Sequence, residues 1–423
     1  MIYIALPAMD EPDLPSRLLD LNRQSLLPQA VYVCVNQPRS YYSDGIKEHD
    51  EVCRVNEAVY NKLRQFVQEG RFAFRVEAID RFSPQNAWDD RHFGVGWARK
   101  VAMDAVSEAC GKSGSGSIMV CMDADTHYPA DYLENIRKQF DTYPQAVGMA
   151  NPYYHIHSPG LEKLPEGQQA AVLHYEVYMR AYALNMLLAG LPYTFTAIGS
   201  SMACRVDAYR KIGGISPFKS GEDFYFLQKL AKTGALIVHS DSVSHPSSRL
   251  SGRVLFGTGP ALRKGLEKRW ESYPVYPPAL FQKMARAYET LPDLFVNGVP
   301  SSALDFWQDA FGADWWVRLR QNSGGRVEQF VRACKEKFDA LRALQFLKAN
   351  YPQHDVQDWQ NLCALYRLLC SWGMVDGGME ALCGEGRIGS LADLKLADWY
   401  AVREYLFACE CALHRKNPVV RVV

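Results

Sequence analysis

The stretch Ser117-Ile118-Met119-Val120-Cys121-Met122-Asp123-Ala124-Asp125-Thr126-His127 decides the fold class. An uninterrupted apolar run, Ile118 to Met122, ends in two carboxylates one residue apart. Continuous apolar runs of this length mark strands buried on both faces of a parallel sheet. Ligands of open α/β sheets sit beyond the carboxyl ends of the strands, so Asp123 and Asp125 are expected to face a crevice. Two carboxylates there repel each other unless a cation neutralises them. Mg²⁺ and Mn²⁺ take hard oxygen ligands, commonly one or two carboxylates plus substrate phosphates, and the pattern points to a metal–diphosphate site. Taken alone, Asp-x-Asp is equally a solvated loop whose aspartates cap the helix starting near Tyr128-Pro129-Ala130-Asp131.

Outward from this stretch, strand and helix signals alternate. Ile2–Leu6, Ala30–Val35, Phe72–Ile79 and Leu236–Val238 read as strands, with a helix from about Leu14 to Leu27 after the first. Short strands separated by helical patterns imply βαβ units and a mainly parallel sheet. The run Gly111 to Ser117 is rich in Gly and Ser and contains Lys112, but it follows a helix and precedes a strand. A phosphate loop requires the reverse order. Between Pro152 and Gly167 the chain is rich in turns, and His155 and His157, two residues apart beside prolines, read as loop surface. Gln168 to Leu191 has helical periodicity, with Tyr175, Tyr178, Met179 and Tyr182 near one stripe that forms either core or the floor of a cleft.

Beyond the cluster Pro274-Val275-Tyr276-Pro277-Pro278 the strand signals stop, and Val327–Lys348, Val356–Trp372 and Leu394–His414 read as helices. At 423 residues the chain exceeds the usual size of a single core. Two domains are expected: an α/β domain over 1–275 and an all-helical one over 276–423 whose sequence carries no chemistry of its own. Lys+Arg and Asp+Glu are both 47, so the net charge is zero and nothing favours nucleic acid as a partner. The N-terminus reads as a first strand broken by Pro7, not a signal peptide. The longest apolar stretch, Tyr182 to Ile198, contains Asn185, Gly190 and Pro192 and falls short of the ~20 residues that span a bilayer. Peripheral membrane contact stays open. Eleven cysteines with no C-x-x-C pair read as reduced core thiols of a cytoplasmic protein, without disulfides or a zinc site.

Further motifs flank the Asp-x-Asp in a fixed order. Upstream stands Gly94-Val95-Gly96-Trp97-Ala98-Arg99; downstream come Gly199-Ser200-Ser201, Gly213-Gly214, Gly221-Glu222-Asp223 and Ser244-His245-Pro246. In this order the chain resembles the family 2 glycosyltransferases, inverting enzymes of the GT-A fold, over roughly residues 1–255. The resemblance implies a GT-A-like, Rossmann-like α/β domain. It also implies an inverting, metal-dependent transferase of the hexosyltransferase type, taking its sugar from a UDP-sugar or another nucleotide-diphosphate sugar. The acceptor would be a hydroxyl of a glycan, a lipid-linked molecule or a protein, in bacterial surface glycan or glycoconjugate synthesis.

Residue by residue, the resemblance puts Asp125 and His245 on Mn²⁺ or Mg²⁺ and makes Asp223 the base that deprotonates the acceptor. Asp223 opens a helix, whose dipole favours its ionised form. Gly199 and Ser200 would face the acceptor, and Glu222 would orient it or lie behind the residues that do. Asp123, beside Ala124, would hold the nucleotide ribose or join the metal's shell, and Arg99 at the start of its helix would contact the nucleotide or support the Asp-x-Asp loop. Pro7-Ala8-Met9-Asp10-Glu11 is close to the family's Pro-Ala-x-Asn-Glu, so Pro7, Ala8, Asp10 and Glu11 would line the base pocket. Arg249 and Arg253 open a basic stretch that suits diphosphate, since guanidinium groups bind phosphate in bidentate fashion. Arg269-Trp270 is similar to the Arg-Trp of processive synthases, but Leu266 replaces the expected Gln and processivity is not inferred. The second strand ends in Asn36-Gln37-Pro38, where the family commonly has an Asp pair, so Asn36 leaves the base preference open. Two other readings stay open: a nucleotidyltransferase, although the Gly-rich basic loop it needs after the first strand is missing, and a degenerate, non-catalytic binding module.

Overall fold

The computed structural model describes residues 1–111, 116–155, 163–249, 257–351, 355–384 and 388–422. The chain divides into two compact units, the first comprising Met1–Leu164 and Ala197–Pro260, the second Pro165–Thr196 and Ala261–Val423. Residues 165–196 and 261–275, expected in the first domain, thus lie with the C-terminal helices.

The first unit is built on β1 (Ile2–Ala8), β2 (Ala30–Asn36), β3 (Arg75–Arg81), β4 (Ile118–Cys121), β5 (Ala146–Ala150), β6 (Met202–Arg205) and β7 (Ala235–Ile237), laid in the order β3-β2-β1-β4-β6-β5-β7. β3, β2, β1 and β4 run parallel, as do β5 and β7, while β6 is antiparallel to both β4 and β5. The result is a mixed sheet of the GT-A-like α/β class, with one reversed strand in the otherwise parallel arrangement.

The first, second and fourth strands are buried at every position because both faces are covered. Ile4, Leu6, Val31, Val33 and Val120 share a core with α1 (Leu14–Asp20), α2 (Lys47–Gln68) and α4 (Tyr132–Thr142), through Leu14, Leu18, Val59, Leu63, Leu133, Ile136 and Phe140. On the alternate face, Tyr3, Ala5 and Cys121 meet α3 (Val95–Ala109), which turns Ala98, Ala102, Met103 and Val106 inward. The site follows from this arrangement. β1, β2 and β4 all end on the same side of the sheet, delivering Asp10, Asn36 and Asp123 to one edge. The antiparallel register pairs Cys121 with Met202, so the chain leaving β4 runs beside Gly199–Ser201, which enters β6.

In the second unit, α5 (Glu166–Leu188) packs along the helix Leu396–Lys416, and its charged residues are buried with it. Arg180 Nη1 lies 2.5 Å from Glu410 Oε2, and Glu176 Oε2 stands 3.5 Å from Arg180 and 3.6 Å from Arg403. Tyr178 and Tyr182 pack against an aromatic core in which Trp307 stacks on Phe338 at 4.7 Å. The helix expected over 327–348 breaks at Phe338-Asp339, because Asp339 caps a new helix by accepting from the Arg342 N–H at 3.4 Å.

Two expectations are corrected. His155 is fully buried and hydrogen-bonds Thr258 Oγ1 at 3.1 Å, because its ring packs edge-on against Tyr153 instead of facing water; His157 lies outside the described residues. Cys363 and Cys383 form a disulfide, Cα–Cα 5.6 Å. The glycine-rich turn at 373–378 folds the helix Met379–Gly384 back on the helix Asp355–Ser371, bringing together thiols that are 20 residues apart. Among the described residues no helix is long and apolar enough to cross a membrane.

Candidate active site

Arg99 organises the site from inside. It is 1% exposed, on the first turns of α3, and a buried guanidinium is tolerated only when paired and hydrogen-bonded. Its Nη2 donates to Asp123 Oδ1 at 3.0 Å, its Nη1 to the Gly199 carbonyl at 3.0 Å and its Nε to Glu222 Oε1 at 3.1 Å. Burial disfavours its charge, but Asp123 and Glu222 more than offset this and hold it above its ordinary value. Gly199 is required by contact: a Cβ there would sit 2.6 Å from Arg99 Nη2. One side chain therefore gathers the Asp-x-Asp loop, the Gly-Ser turn and the Glu-Asp pair.

The Asp-x-Asp loop is held a second time. The Asp123 N–H donates to Tyr128 Oη and that hydroxyl donates to the Ser200 carbonyl, each at 3.0 Å. Asp123 keeps 31% of its side chain exposed, while Ala124 and Ser200 are buried. Glu222, expected to orient the acceptor or lie behind the residues that do, is 3% exposed and turned to Arg99.

Asp223 follows Glu222 at the start of α7 (Glu222–Ala231), half-buried, with Oδ1 accepting from the Phe224 N–H at 2.8 Å. Loss of solvent and the neighbouring Glu222 charge push its carboxyl up to about 7, against the opposing pull of Arg99. A carboxyl poised there is the type of group that serves as a general base at neutral pH.

Asp125 Oδ2 lies 2.8 Å from Arg249 Nε, and the same guanidinium contacts Glu11. Arg249 thus bridges the ends of β1 and β4. His245 is stitched to the segment after Asp125: the backbones of His127 and His245 exchange hydrogen bonds of 3.0 and 2.9 Å. Its Nδ1 stands 3.2 Å from the Tyr154 carbonyl, which sets the tautomer with the proton on Nδ1. A carboxylate and an imidazole with its tautomer set by a carbonyl fit Mn²⁺ or Mg²⁺ as partial ligands. Among the described residues no three His, Cys, Asp or Glu side chains gather closely enough to hold an ion unaided.

The residues expected to line the base pocket sit where β1 and β2 end. Pro7 and Ala8 are within β1, and the Ala8 carbonyl accepts from Asn36 Nδ2 at 2.8 Å. Asn36 is 2% exposed, its Nδ2 spent on joining the two strands. Asp10 takes φ of 56°, a left-handed conformation that Asp tolerates better than most residues, with its N–H donating to Asn56 Oδ1 at 2.9 Å. Asn56 Nδ2 reaches the Asn36 carbonyl at 3.1 Å and Gln37 Oε1 at 2.8 Å. Asn56 and Tyr128 are site residues that sequence reading missed; an asparagine on the buried side of an otherwise polar helix was the available signal for the first. Arg253 lies outside the described residues.

A family model described as "Glycosyl transferase family group 2" matches residues 118–273. Over those residues the chain is family 2-like. The matched region holds Asp123, Asp125, the Glu222-Asp223 pair and His245 of the site just described. No curated protein sequence matches the chain. Among solved structures, this chain is similar to TarS of S. aureus, with 16% identity over 83% of this chain and 54% of that one, TM-score 0.35. It is also similar to the mannosyltransferase PcManGT from Pyrobaculum calidifontis, solved in complex with GDP-Man and Mn²⁺, with 13% identity over 98% of this chain and 86% of that one, TM-score 0.34. The chain spans about half the length of TarS.

Proposed function

We propose that this chain transfers a sugar, with inversion, from a nucleotide-diphosphate sugar to an acceptor hydroxyl. The observation that supports this most is the convergence on Arg99 of the Asp-x-Asp loop, the Gly-Ser turn and the Glu222-Asp223 pair at the strand ends. The acceptor oxygen attacks the anomeric carbon opposite the diphosphate; the new C–O bond forms as the bond to the diphosphate breaks and takes its electron pair. Asp223 accepts the hydroxyl proton. Arg249 turns from Asp125 and Glu11 toward the diphosphate oxygens. Asp123, fixed by Arg99 and Tyr128, orients the nucleotide, and Asp125 and His245 Nε2 hold Mn²⁺ or Mg²⁺. The ion supplies Lewis-acid stabilisation of charge on the leaving diphosphate. The acceptor is a glycan, lipid-linked or protein hydroxyl.

Calorimetry with nucleoside diphosphate and Mn²⁺ tests the donor side. Asp125→Ala should abolish metal-dependent nucleotide binding and leave the fold intact, since this half-exposed carboxylate contributes little packing. Unchanged binding would remove Asp125 from the site. Donor hydrolysis across a panel of nucleotide sugars then identifies base and sugar together.

A further inference from the structure

Glu222 and Arg99 are buried charges that act on Asp223, and their contacts reach beyond the two helices that carry them. Arg99 spends its three nitrogens on three segments that are far apart in sequence: Asp123 after β4, Gly199 before β6, and Glu222 at the head of α7. Glu222 is 3% exposed, so its carboxylate is underneath the crevice surface and not in it. Its near neighbour Asp223 is the group left facing outward. Gly199 leaves no room for a side chain against the guanidinium: a Cβ there would lie 2.6 Å from Arg99 Nη2.

We propose that Glu222 and Arg99 are positioning residues, which lock the donor loop, the acceptor turn and Asp223 into one geometry and set the charge around the base. This rests on the reading of Asp223 as the base and deepens it. The charged groups facing Asp223 are Glu222 on its own helix, Arg99 from α3 and Asp123 from the loop after β4. Glu222 and Asp123 disfavour its ionised form and Arg99 favours it, so neutralising Glu222 alone must make Asp223 a weaker base. An acceptor contact predicts something different: Glu222 would govern which acceptor binds and would leave the protonation of Asp223 alone.

The test is the pH dependence of kcat/KM for hydrolysis of whichever nucleotide sugar turns over, with water as acceptor so that no acceptor need be known. Glu222→Gln keeps an oxygen for Arg99 Nε but removes the charge. The acid limb should move down by about one pH unit or more, the size expected when a like charge is removed at close range. Glu222→Asp restores the charge and should return the limb close to its wild-type position. An acid limb that stays put or moves up in Glu222→Gln overturns the proposal. If Glu222→Gln does not fold, Arg99→Lys is read in its place: a point charge without the planar fork should move the limb up as the favourable interaction weakens, and an unmoved limb is again fatal. Failure of the base assignment itself is distinguishable, because Asp223→Asn would then leave hydrolysis intact whatever Glu222 does.

Discussion

At the scale of single residues, the reaction proposed here depends on the protonation state of Asp223. Its ordinary value near 3.8 is raised to about 7, chiefly by burial and then by Glu222. The ionised form accepts the proton, so turnover should rise with pH through about 7 and fall roughly tenfold per unit below it. A profile flat between pH 5 and 8 would exclude Asp223 as the base. Asp223→Asn keeps the shape but cannot take the proton, and should lower turnover by about 10²–10⁴-fold with nucleotide affinity nearly unchanged. If nucleotide affinity falls instead and turnover at saturation holds, Asp223 belongs to the nucleotide site. Residue types were readable here because chemistry constrains them: carboxylates at strand and helix ends and a late histidine are legible as letters. The direction a side chain faces was not. Glu222 and Asp223 are adjacent in the sequence, yet Glu222 is buried against Arg99 while Asp223 is only half-buried, and the position of Arg99 decides which is covered.

At the scale of elements, the site depends on close approaches that leave little mark in a single sequence. Gly199 lies against Arg99, and Gly96 lies against the Phe218 backbone, where a Cβ would come within 2.0 Å of a carbonyl oxygen. Gly199→Ala should cost about 1–3 kcal/mol of stability, the usual range for overpacking. It should also lower turnover by about 10²-fold, because Arg99 cannot move without displacing Asp123, and small misplacements at a reacting centre are that costly. Gly167→Ala, where a Cβ meets nothing nearer than 3.8 Å, is the control and should leave both unchanged. A Gly199→Ala enzyme with wild-type turnover would mean that the guanidinium slot is loose. β1, β2 and β4 were legible because strands buried on both faces are apolar throughout. β5 and β6 were not: they are five and four residues long, and β6 reverses direction between parallel neighbours. α2 was missed for the opposite reason, since only Asn56, Val59, Leu63 and Phe66 of its 22 residues are buried.

Over the whole molecule, equal numbers of acidic and basic residues conceal where the charges are. Each unit has a buried network of its own, around Arg99 in the first and around Arg180 in the second. Composition hides this, and so the division of the chain was only partly legible: the change to helices after the proline cluster was readable, but α5 has the same apolar look whichever unit it joins. Its partner is set by Arg180, which lies between Glu176 one turn away and Glu410 on the helix Leu396–Lys416. Glu410→Ala removes the nearer carboxylate and leaves a guanidinium in a low-dielectric interior. Breaking a buried pair from one side costs about 3–5 kcal/mol, a large share of the stability of any domain. Replacing both members, Arg180→Met with Glu410→Leu, removes the desolvation cost together with the attraction. Such swaps are neutral to stabilising by about 1–4 kcal/mol. Denaturant unfolding of the full chain, followed by circular dichroism, should therefore show a steep loss in the single variant and recovery in the double. A single variant that loses less than about 1 kcal/mol would place Arg180 in the range of surface ion pairs, and α5 would then be held to its partner helix by apolar packing alone.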